Sequence, residues 1–295
     1  MKIVLPLPVT LTSLFIVTLI NGGFVPWRLT GPYRKAAMAA LGTPRLRLTH
    51  HPTPWQPTAV TLPPDERHLL RRSRHHLAVS TTVPPHDLPA AVQAARAAAR
   101  ALAHAYEGLL IDPLTGSTLP AQDPEPVAFH LSDDWLGWDV RTHDGATCPP
   151  WDPTGTCDGL TITSRGLRRF ALPEITLDGA ACAHTLCATN LLRTVAARLV
   201  SDQLAFAAAH PEARRRAIDD HLPLPPAPLG VRLTPCTPAS SPTGGIRRLK
   251  VGPMDDTAPV TYLKVGPPEA FTGSLNDWLC TTQTPARATL TSIAA

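Results

Sequence analysis

Six side chains between His130 and Asp144 could do acid–base chemistry: His130, Asp133, Asp134, Asp139, His143 and Asp144. Carboxylates and imidazoles at this density could supply a general acid and a general base for a hydrolase. The ordinary role of such residues competes with this one, because Asp-Asp is common turn chemistry between two strands. The chain has no nucleophile elbow, phosphate-binding loop or H-E-x-x-H motif to organise them. A second group, Arg165, Arg168 and Arg169, flanks Gly166. Guanidinium forks pair bidentately with carboxylates and phosphates, so these three arginines are the ligand-binding candidates, acting as an anion clamp. Glu174 and nearby aspartates make internal salt bridges the competing use.

The cysteines and histidines carry less. Cys148, Cys157, Cys182 and Cys187 do not form a C-x₂-C knuckle, and the last two lie five apart on an expected helix, pointing different ways. A Cys148 to Cys157 disulfide closing the Trp-Asp-Pro-Thr-Gly loop is the alternative, and it requires an oxidising compartment. His50-His51 and His75-His76 fall in a carboxylate-poor stretch and are expected to be solvated. No metal and no cofactor is expected.

The elements that must position these groups follow from periodicity. His76 to Val83 is β-branched and alternates, which favours a strand. Asp87 is expected as an N-cap with Pro89 in the first turn. The helix that follows carries Val92, Ala95, Ala99, Leu102 and Tyr106 on one stripe, with Gln93, Arg96, Arg100, His104 and Glu107 opposite. Gly108 suits a left-handed cap, and Leu109 to Ile111 a second strand. Val127 to Val140 reads as two strands around the Asp133-Asp134 turn. Leu160 to Thr163 and the segment after Pro173 read as two more. Ala181 to Leu204 reads as a long helix with Ala188, Leu191, Leu192, Val195 and Leu199 inward. Leu249 to Pro253 recurs as Leu263 to Pro267, which fits a hairpin. Ser274 to Cys280 fits a short helix with Trp278 packed inward.

The N-terminal run Ile3 to Ile20 is uncharged and mostly apolar. As a helix it would reach about 27 Å, close to the roughly 30 Å hydrocarbon core of a bilayer. Arginines downstream of it place the remainder in the cytoplasm by the positive-inside rule. The expected organisation is a transmembrane or signal-like segment (1–23), a basic Pro-rich linker (24–75), an α+β domain (76–208) and a Pro-rich C-terminal extension with a hairpin (209–295). A cytoplasmic protein with its true start at Met38 is the alternative. The net charge of +4 is too mild to indicate nucleic acid without a focused basic patch.

The segments Ala94 to Gly116, Ile162 to Ile175 and Asn190 to Leu199 resemble an uncharacterised domain family of actinobacterial proteins, with an Arg-Gly-Leu-Arg-Arg-Phe-x-Leu-Pro-Glu segment as its hallmark. The resemblance covers about the middle half of the chain; it implies an α+β domain and no assigned activity. The expected architecture is a mainly antiparallel sheet with two amphipathic helices on one face, plus the N-terminal transmembrane segment. The expected role is a non-enzymatic, membrane-tethered domain binding a protein or a small anionic ligand. The alternative is the hydrolase described above.

Overall fold

The computed structural model describes residues 2–20, 26–56, 62–131, 134–142, 158–224, 230–236 and 262–282. The N-terminal run is not a helix. Pro6 and Pro8 divide it into two strands, β1 (Lys2–Pro6) and β2 (Leu11–Leu19). The chain continues through α1 (Arg34–Ala40), β3 (Arg47–His51), α2 (Pro64–Arg72) and β4 (His75–Val83). The stretch expected as a linker therefore holds two helices and a strand. Next come α3 (Ala90–Ala105), β5 (Leu110–Asp112), β6 (Ser117–Leu119) and β7 (Gly137–Thr142). They are followed by β8 (Leu160–Arg165), β9 (Glu174–Ala180) and α4 (Thr185–Ala209). The last elements are β10 (Arg215–Asp219), β11 (His221–Pro223), β12 (Gly230–Cys236), β13 (Tyr262–Gly266) and α5 (Leu275–Thr282).

The fold is α+β, but it is not one sheet. A five-stranded sheet runs β3-β4-β2-β5-β6 and a six-stranded sheet runs β11-β12-β13-β9-β8-β7, with β1 and β10 forming a separate ribbon. All pairings are antiparallel except β13 with β9. Strand β2 is central in its sheet, paired along its length with β4 and over two positions with β5. Its Phe15, Val17 and Leu19 join the main core, where α3 packs; its Ile16 joins Trp55, Ala78 and Ile111 on the other face, with Leu70 of α2 packed against them. A strand covered on both faces reads as a continuous apolar run, which is what made this one resemble a bilayer helix. Among the described residues no helix is long and apolar enough to cross a membrane.

The two long helices divide between the sheets. Helix α3 packs on β2 and β4, whereas α4 packs on β8 and β9. Residues Ala188, Leu191, Leu192, Val195 and Leu199 of α4 are buried as its periodicity requires, with Arg193 and Arg198 exposed. The expected solvent face of α3 is a correction: Gln93, Arg96 and Arg100 are buried beneath the segment after β6. Asp87 lies in a 3₁₀ turn before α3 and does not cap it. Gly108 is required for a different reason from capping, since the left-handed residue is Glu107 (φ 51°) and a Cβ on Gly108 would stand 1.9 Å from the Thr18 carbonyl oxygen. The strand expected between Val127 and the Asp133-Asp134 turn is absent among the described residues, 127–131. Both edges of β13 are taken, by β12 and β9, so the second copy of the repeat is not half of an isolated hairpin. The first copy lies outside the described residues. Trp278 on α5 is buried.

Candidate functional site

The arginine turn is built from inside. Strand β8 ends at Arg165, Gly166 turns the backbone at φ 123°, and a 3₁₀ turn covers Leu167–Phe170. Only glycine fits at 166, because a Cβ there would lie 2.5 Å from the Trp135 carbonyl oxygen. The Glu174 carboxylate accepts hydrogen bonds from the amides of Gly166 (3.0 Å), Leu167 (3.3 Å) and Arg168 (3.4 Å), and from the Ser164 hydroxyl (2.6 Å). A buried carboxylate is tolerated when donors surround it, and Glu174 thereby holds the turn closed.

The three candidate arginines do not converge. Arg169 is fully buried, where it pairs with Asp112 of β5 and lies against the rings of Trp135 and Phe15. That ion pair ties the six-stranded sheet to the five-stranded one. Arg168 is half exposed, 3.8 Å from Glu174, and donates to the Tyr262 hydroxyl at 3.4 Å. Arg165 ends β8, partly exposed.

A second buried network lies on α3. Arg96 grips Glu125 with two 2.7 Å hydrogen bonds and stacks 3.5 Å over Trp135, and Arg100 donates to the same carboxylate at 3.2 Å. Burial, followed by the neighbouring Arg96, pulls Arg100 below the ordinary guanidinium value. Tyr33 and Gln93 both donate to the Pro126 carbonyl, at 2.7 and 3.1 Å. These contacts fasten the segment 120–135 over α3. Asp134 stands 3.6 Å from Arg100, while Asp139 pairs with Arg141, so the two described aspartates of the Asp/His group serve separate arginines. His130 is exposed, and Asp133, His143 and Asp144 lie outside the described residues, as do Cys148 and Cys157.

Cys182 lies in a 3₁₀ turn before α4 and is disulfide-bonded, with its partner outside the described residues. Cys187, Cys236 and Cys280 are free thiols. Among the described residues no three His, Cys, Asp or Glu side chains are grouped to hold a metal.

What the sequence did not disclose is a basic end of the five-stranded sheet. Residues 45–76 hold six of the 27 basic side chains and two of the 23 acidic ones, a balance of +4 that equals the whole chain's formal charge. The strand β4 begins beside the end of β2, where the Arg74 amide donates to the Leu19 carbonyl at 2.9 Å. Helix α2 ends just before it with Arg71 and Arg72 in its last turn, where the carbonyl end of a helix favours cations. Together Ile20, Arg71, Arg72 and Arg74 line a cavity of about 420 Å³. All three arginines are exposed, and among the described residues none of their guanidinium groups has a hydrogen bond or an ion pair. Beside the cavity, His51 stacks on His76 (centroids 4.5 Å apart) and His50 on His75 (5.3 Å). The His76 Nδ1 meets the Thr53 carbonyl at 2.7 Å, so that nitrogen carries the proton, and Nε2 is buried without a partner. The local excess of Arg and His over acid in 67–76 was the available signal, and it is invisible in a whole-chain charge.

Comparison with family models, curated proteins and solved structures finds no match to this chain.

Proposed function

We propose that this chain is a non-enzymatic binding domain that takes a small anionic ligand in the cavity among Arg71, Arg72, Arg74 and Ile20. One observation carries the reading: three arginines whose guanidinium groups have no partner among the described residues line a single cavity. The two buried arginine clusters use their charges on the fold itself. Arg96 and Arg100 hold Glu125, and Arg169 holds Asp112. An unpaired guanidinium on a cavity-lining residue is available to carboxylate or phosphate oxygens in a way that those arginines are not. This moves the anion site from the turn at Arg165, Arg168 and Arg169 to the end of α2.

Ligand-linked stabilisation tests it. A ligand that binds only the folded state raises the unfolding temperature with its concentration. Thermal unfolding is followed in rising sodium phosphate at constant ionic strength, for the parent chain and for the Arg71→Ala/Arg72→Ala/Arg74→Ala variant. The expected result is a concentration-dependent rise in the parent that the variant lacks. An equal rise in both would reject the site.

A further inference from the structure

The same pocket carries a statement about ligand class, resting on the reading above. We infer that its ligand presents a diphosphate group rather than a single carboxylate. Three unpaired forks call for acceptors in number: one carboxylate takes two guanidinium groups, as Glu125 does from Arg96 and Arg100, whereas a diphosphate offers an oxygen pair to each of three forks. The walls point the same way. Ligand pockets are usually lined by apolar side chains with a few polar groups; among the described residues this one is lined by three arginines and one aliphatic residue, Ile20.

The surroundings leave that charge uncompensated by the protein. The two acidic residues of α2, Asp65 and Glu66, lie in its first turn, at the opposite end from Arg71 and Arg72, and Glu66 accepts the Thr118 hydroxyl at 2.8 and 2.9 Å. The net charge of the entire chain is concentrated in residues 45–76. Part of it is committed, since Arg45 pairs with Asp87 at 2.9 Å and Arg67 donates to the Leu62 carbonyl at 3.0 Å. Of the other four, Arg47 lies on β3, and Arg71, Arg72 and Arg74 line the cavity. An anion with a single charge would leave most of that field unmet, while a diphosphate answers it.

Isothermal titration with four probes at fixed ionic strength decides between classes: inorganic pyrophosphate, a nucleoside diphosphate, succinate and acetate. Pyrophosphate is expected to bind at least roughly ten-fold more tightly than either carboxylate, since hydrogen bonds to charged groups are each worth about that factor or more. A nucleoside diphosphate that exceeds pyrophosphate would assign the diphosphate to a nucleotide, and one that matches it would assign recognition to the phosphates alone; both support the inference. The Arg71→Lys/Arg72→Lys/Arg74→Lys variant keeps every charge and loses every fork, and it should bind pyrophosphate about ten-fold more weakly or worse. Succinate binding as tightly as pyrophosphate, with both lost in the alanine variant, would overturn the diphosphate assignment and leave the anion site standing. Equal pyrophosphate binding by the parent and the alanine variant would overturn both.

Discussion

Truncation of Phe15 to alanine probes the placement of the N-terminal run most sharply. Phe15 sits on β2 with none of its surface exposed, inside the main core and 5.7 Å from the Arg169 guanidinium. Phe→Ala at a sealed site removes the transfer free energy of the ring and leaves a cavity, costing about 3–5 kcal/mol. For a chain of this class each kcal/mol lowers Tm by roughly 2–4 °C, so a fall of order 10 °C is expected. Val4, on the β1–β10 ribbon, is 59% exposed and supplies the control. Val4→Ala should change stability by about 0.5 kcal/mol or less. Urea unfolding followed by circular dichroism measures both, and the slope with urea should stay near the parent's. If Phe15→Ala moves the midpoint no further than Val4→Ala, β2 is not the central strand of the sheet and the corrected fold is wrong.

Three further outcomes are expected. Glu125→Gln leaves Arg96 and Arg100 buried without their carboxylate and should cost about 3–5 kcal/mol in urea unfolding; a loss under about 1 kcal/mol would show that the network is not closed. Burial holds His76 below the ordinary histidine value; the Thr53 carbonyl contact opposes this, and the facing His51 and His50 add to the lowering. Above about pH 6.5 both folded and unfolded states keep it neutral, and below that the unfolded chain takes the proton first. Stability should therefore fall as pH drops from 6.5 towards the lowered folded value, by at most about 1.4 kcal/mol per pH unit from this group. His76→Gln should flatten that part of the profile, and an unchanged slope would remove the assignment. Iodoacetamide should label the exposed Cys280 without reductant and Cys182 only after reduction, read by peptide mass spectrometry; labelling of Cys182 in the unreduced protein would contradict its disulfide.

Where local pattern decides structure, the sequence was readable. The α4 stripe, the strand after α3, the strands on either side of the arginine turn and the inward Trp278 all follow from periodicity and turn residues. What failed was non-local. An apolar run of 18 residues is compatible with a membrane helix or with strands buried on both faces, and the partners that decide it, β4 and β5, lie more than fifty residues away. Arg96 and Arg100 looked like a solvent face because the segment that covers them and brings Glu125 cannot be inferred from helix spacing. The arginine turn is an anion clamp by composition, yet its Arg169 ties the two sheets through Asp112 and its backbone amides close on Glu174 within one sheet. The basic pocket needed three elements, the end of β2, the last turn of α2 and the start of β4, to meet in space.

A single diffraction measurement addresses the anion site directly. Crystals grown without multivalent anions are soaked in sodium tungstate, a tetrahedral dianion, and an anomalous difference map is calculated at the tungsten edge. The strongest peak should lie among Arg71, Arg72 and Arg74, beside Ile20. A map with no peak there, or with its strongest peak at Arg165 and Arg168, would contradict the assignment.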